Sequence, residues 1–179
     1  MDSFLIILLG IVLVIAAAND FRFRKIPNLL TYPTMIAALA YHGMNGGFEG
    51  LLFSAKGLGL GMAILILPYL LGGMGAGDAK LMGAVGAILG PKGVFVAFLF
   101  TAIIGGIYGL TLLLAKPGYV RSFMKRWGTA LKTLIWVGQF IYIPPTKDQK
   151  KPRLSYGVVI ALGTICSVVW RLSGHGFPI

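Results

Sequence analysis

No charged side chain interrupts residues 4–18, and five further apolar stretches follow at 29–41, 51–71, 78–89, 93–115 and 156–170. In lipid every backbone polar group must find its partner inside the segment, so stretches of this kind read as helices. The chain is therefore expected to be an all-α membrane protein with about six transmembrane helices. Crossing the hydrocarbon takes about 20 apolar residues. The shorter stretches, 29–41 (with Pro33, which a membrane helix tolerates) and 78–89, must then draw on flanking polar residues or thin the bilayer.

Composition supports this reading. Of 179 residues 57% are hydrophobic and 12% charged, against about 25% charged in soluble domains. The length suits a single domain over 1–179. The one cysteine, Cys166, excludes a disulfide framework or a Cys-based zinc site within one chain. A formal charge of +11 is compatible with nucleic-acid binding. Here, however, the cations fall between apolar segments, as in cytoplasmic membrane loops facing anionic lipids, and no nucleic-acid partner is expected.

Residues 4–15 followed by Ala16-Ala17-Ala18 imitate a secretory signal. Yet a signal needs a positive n-region, whereas Met1-Asp2-Ser3 precedes this run and Arg22, Arg24 and Lys25 follow it. A retained first helix with its N-terminus outside is the expectation. With that orientation, thirteen of the sixteen basic residues fall inside: Arg22, Arg24 and Lys25, then Lys80, then nine between Lys116 and Arg153. Residues 116–153 read as a cytoplasmic basic loop. Within it, Val120, Phe123, Met124, Trp127, Leu131, Leu134 and Ile135 recur at helical spacing opposite Arg121, Lys125 and Lys132, which predicts an amphipathic helix on the membrane surface before the last transmembrane helix. Gly57 and Gly61, Gly86 and Gly90, and Gly105 and Gly109 are spaced for close helix packing, without chemistry of their own.

Only five acidic residues occur: Asp2, Asp20, Glu49, Asp78 and Asp148. Asp20 closes the first apolar stretch and Asp78 opens the fourth, so charge counting alone brings both to the inner face. Ionisable residues beside membrane helices are costly and default to functional hypotheses. The structural alternatives are an ion pair of Asp20 with Arg22 or Arg24 and an N-terminal cap by Asp78. Two carboxylates sharing one proton and a water suit peptide hydrolysis: one takes a proton from water while the other donates to the amide. Helix polarity inclines Asp78 to the base, the cations after Asp20 pull the other way, and the division stays open. Before Asp78, Gly72-Gly73-Met74-Gly75-Ala76-Gly77 permits an extended chain to approach closely. Glu49, Asp148, His42 and His175 read as loop residues, Lys80 as a side chain snorkelling to the interface, and Trp127, Trp136 and Trp170 as interface anchors.

Two motifs carry a family resemblance. Asp20-Phe21-Arg22-Phe23-Arg24-Lys25-Ile26-Pro27-Asn28 and Gly75-Ala76-Gly77-Asp78-Ala79-Lys80-Leu81-Met82 resemble the aspartate motifs of the GxGD-class prepilin peptidases, the type IV leader peptidase family, in particular the short form that accompanies Tad/Flp pili. A third, weaker match covers residues 154–163, where Ser155 stands in place of the relatives' usual Pro. The resemblance implies a membrane-embedded aspartyl endopeptidase in the cytoplasmic (inner) membrane, with Asp20 and Asp78 catalytic. It further implies Gly75, Gly77, Lys80, Pro27 and Asn28 in substrate binding or the active-site loop, no metal and no cofactor. The substrate would be a prepilin, its basic leader cut off at the cytoplasmic face. Larger relatives carry an N-terminal insert with paired CxxC motifs and methylate the new N-terminus; that motif is missing here, and methyl transfer is not expected. A proton- or ion-coupled transporter, or a structural subunit of a pilus or secretion machine, is the competing reading. Oligomeric state is left open.

Overall fold

In the computed structural model the described residues are 2–70, 73–115 and 155–174, with backbone only at 112–115. They form four helices and no strand: α1 (Ser3–Phe23), α2 (Asn28–Leu70), α3 (Ala76–Ala115) and α4 (Tyr156–Leu172). The first three are long and apolar enough to cross a membrane, and α4 is a shorter apolar helix. The expected all-α membrane class holds. The basic loop 116–153 with its amphipathic helix, Asp148, His175, Trp127 and Trp136 lie outside the described residues.

The two longest helices are each broken at one glycine. Gly47 (φ 57°, ψ −143°) interrupts α2, and Gly90 (φ 73°, ψ 179°) interrupts α3 just before Pro91. Both conformations lie where L side chains are strained and glycine is not. Proline then suits the first position of the next helical arm. The contacts show that the chain folds back at each break. Met35 on the first arm of α2 and Met62 on the second both approach Gly83, and Met82 and Val94, on the two arms of α3, both approach Gly61. Residues 42–50, expected as a loop, are thus helical on both sides of a single-residue break. His42 is a helix residue whose Nε2 lies 3.2 Å from the Ile88 carbonyl oxygen, and Glu49 is an exposed helix residue.

Small residues set the spacing. A side chain on Gly57 would collide with the Gly86 carbonyl, and one on Gly61 with the Met82 carbonyl. Ser54 Oγ, fully buried, donates to the Ala87 carbonyl at 2.7 Å beside them. The first arm of α3 is consequently enclosed, with residues 81–90 all buried. Protein therefore surrounds most of the short stretch 78–89.

α1 packs against α2 and α4. Its inward stripe runs Leu5, Leu9, Val12, Leu13, Ala16, Asp20, the spacing of one helical face. Phe4, Ile7, Ile11 and Val14 point outward and are exposed, which for a membrane helix is the lipid-facing side. Asp20 therefore continues the core stripe by one turn. Arg24 then ends the helix in the left-handed conformation (φ 53°), its N–H donating to the Asp20 carbonyl at 2.9 Å.

Candidate active site

Asp20 and Asp78 are the only buried carboxylates among the described residues, 6% and 7% exposed. They belong to one compact unit made of the chain up to Gly105 together with its C-terminal segment from Ser155. Asp20 near the end of α1 bonds Gly157 in the first turn of α4, and Ile26, just past α1, lies against Gly77 in the first turn of α3. The end of α1, the start of α3 and the start of α4 thus meet at one end of the bundle. No third His, Cys, Asp or Glu joins the two carboxylates there among the described residues.

Each carboxylate is held by one glycine amide. The Gly75 N–H donates to Asp78 Oδ2 at 2.9 Å, while the Asp78 N–H donates to the Gly75 carbonyl at 3.1 Å. This is the reciprocal pairing of a helix N-cap with its third residue. Asp78 is thus the third residue of α3 and not its N-cap, the alternative weighed from the sequence, and its Oδ2 accepts the N–H of the residue that precedes the helix. The Gly157 N–H of α4 donates to Asp20 Oδ2 at 2.8 Å in a buried setting. The other alternative, an ion pair for Asp20, is not made among the described residues. Arg22, Arg24 and Lys25 are exposed, and Arg22 instead lies over the Phe23 ring, 5.5 Å from its centroid.

The two motifs touch each other. Ile26 is buried and passes so close to Gly77 that a Cβ there would sit 3.1 Å from the Ile26 Cβ. Lys80 Nζ donates to Asn28 Oδ1 at 2.9 Å and stands 5.0 Å from the centre of the Tyr32 ring, a cation–π arrangement. Asn28 and Tyr32, one turn apart on α2, thus give the Lys80 ammonium a polar and an aromatic partner. Pro27 starts α2 through its carbonyl, which accepts the Leu30 N–H at 3.0 Å, and its side chain is exposed. Of the residues singled out in the sequence, Gly75 reaches a carboxylate directly, Gly77, Lys80 and Asn28 join the two motifs, and Pro27 shapes the link between them. Gly157 was overlooked as a site residue. The third motif contains it, but nothing local in Ser155-Tyr156-Gly157 indicates a partner 137 residues away.

The arrangement places two buried carboxylates from separate helices at one end of the bundle, each with its Oδ2 engaged by a glycine amide. Two carboxylates are the complement that water activation by a base and proton donation by an acid require.

The chain matches the sequence model of the type IV leader peptidase family over residues 7–110, a span that includes both aspartates. It is 34% identical over 105 residues to the prepilin leader peptidase/N-methyltransferase of Bacillus subtilis (strain 168), covering 57% of this chain and 42% of that protein. The protein of the same description from Xanthomonas campestris pv. campestris is 32% identical over 142 residues, 73% of this chain and 47% of its own length. That from Vibrio cholerae serotype O1 is 32% identical over 117 residues, 60% and 45% respectively. The chain thus spans less than half the length of these relatives. No solved structure gives a significant match.

Proposed function

The chain belongs to the type IV leader peptidase family, and from that premise we propose that it is a membrane-embedded aspartyl endopeptidase removing the basic leader of a prepilin, with Asp20 and Asp78 as its catalytic pair. The observation that carries the proposal is the convergence of these two buried carboxylates, each oriented by a glycine amide, at one end of a helix bundle. In the reaction, one ionised carboxylate takes a proton from water as its oxygen attacks the scissile carbonyl carbon. The other, protonated, gives its proton to the carbonyl oxygen. Collapse of the tetrahedral intermediate breaks the C–N bond as the proton taken from water passes to the leaving nitrogen and a hydroxyl of the intermediate returns its proton to the carboxylate that acted as acid.

Six crossings are part of the same reading: α1, two arms each of α2 and α3, and α4. The basic residues favour an N-terminus outside and the aspartates at the cytoplasmic face of the inner membrane. There the junction between a basic leader and a hydrophobic helix would be presented. Gly75 and Gly77 leave room for an extended substrate backbone, while Lys80, Asn28 and Pro27 frame its approach. The segment 116–153 would lie on anionic lipids. The short Tad/Flp type is the form whose motifs the chain resembles, so a Flp-type prepilin is the substrate to try. Co-expression with such a prepilin, followed by gel mobility and mass analysis, should show loss of the leader. An intact prepilin beside correctly inserted protein would refute the proposal and favour the transporter reading.

A further inference from the structure

The first turn of α4 supplies what neither aspartate motif contains. Ser155 stands at its N-cap without a side-chain cap bond, so the leading N–H groups of the helix need acceptors from elsewhere. The Gly157 N–H finds one in Asp20 Oδ2. A Cβ on Gly157 would lie 2.8 Å from the Asp20 Cβ and 3.0 Å from its Cγ and Oδ2. No side chain fits there while Asp20 keeps its place. Asp78 is held within its own turn by Gly75. Asp20 is held from another helix altogether, and its carboxylate in turn caps that helix.

On the reading that Asp20 and Asp78 are the catalytic pair, we propose that Gly157 is a positioning residue of the peptidase. Its N–H and its missing side chain together fix the Asp20 carboxylate, and docking of α4 completes the pair. The role is confined to placing a catalytic group, so its loss acts on turnover and leaves substrate affinity alone. Gly163 provides the control. It also packs too tightly for a side chain, but against Thr101 rather than a carboxylate.

Two measurements test this. In cleavage assays Gly157→Ala should lose about 10²-fold in kcat with KM unchanged, the cost of displacing a reacting group by about an ångström, whereas Gly163→Ala should lose activity only in proportion to folded protein. In detergent, thermal unfolding of wild type, Gly157→Ala, Asp20→Gly and the double variant should be non-additive: Gly157→Ala lowers Tm beside Asp20 and not beside Gly at position 20. Groups that do not touch give additive shifts. Additive shifts, or wild-type kcat in Gly157→Ala, overturn the inference. If Gly157→Ala fails to insert, recovery in the double variant is the same coupling, and failure to recover overturns it. If wild type cuts no prepilin the catalytic reading has failed, and the Tm cycle still decides whether Gly157 holds Asp20.

Discussion

Lys80 and Asn28 are joined by a hydrogen bond of 2.9 Å from Nζ to Oδ1, which ties the start of α3 to the start of α2 beside the two aspartates. The bond is exposed, and a single exposed bond of this type contributes about 1 kcal/mol or less. Asn28→Ala should therefore lower stability slightly and the cleavage rate more than stability, because the link between the motifs loosens. A double-mutant cycle with Lys80→Met, which keeps an unbranched apolar side chain and removes the ammonium, should show coupling in rate. Additive rate losses would separate the pair from the site.

Gly77 faces the backbone and Cβ of Ile26. Gly77→Ala requires the Ile26 link to move by a few tenths of an ångström, with Asp78 one residue away. The expected outcome is a loss of about tenfold in kcat/KM, given how steeply rate depends on placement, in protein that inserts normally. A variant as fast as wild type would show that the link yields without disturbing Asp78.

Gly57 and Gly86 each meet the other's carbonyl, and backbone cannot step aside as a flexible side chain can. Gly57→Ala and Gly86→Ala should each destabilise the bundle by about 1–3 kcal/mol or more, the range for overpacking, read as lowered Tm in detergent. Gly109, where a side chain would meet nothing within 4 Å among the described residues, should accept alanine with a smaller loss than either.

The sequence made part of this legible. Apolar runs located the helices, and charge scarcity singled out Asp20 and Asp78. It did not disclose which side of α1 faces inward, because Leu5 and Leu9 on the buried face and Ile7 and Ile11 on the exposed one are equally apolar. In lipid the usual polar–apolar contrast is missing. Gly47 was not singled out and Gly90 was read as a packing glycine. Spacing cannot tell a glycine that allows close approach from one that reverses the chain, and only the backbone angles do. Gly157 eluded the reading for another reason: its partner is distant in sequence, and hydrogen bonds from a helix terminus leave no local pattern.

Orientation can be read by labelling. In a Cys166→Ser background, single cysteines at Asn45, near the Gly47 reversal, and at Lys25, near Asp20, lie at opposite ends of the bundle. A membrane-impermeant maleimide applied to the outside should modify the cysteine at 45 and spare the one at 25 until the membrane is opened. The reverse pattern would place the aspartates outside and remove a cytoplasmic junction from their reach.

The most direct measurement is cleavage of a co-expressed Flp-type prepilin by wild type, Asp20→Asn and Asp78→Asn, at equal membrane abundance. Asparagine keeps the shape and an acceptor for the Gly157 or Gly75 amide while removing the carboxylate. Cleavage by wild type and none by either variant is the predicted result. Undiminished cleavage by either variant would contradict the two-aspartate mechanism.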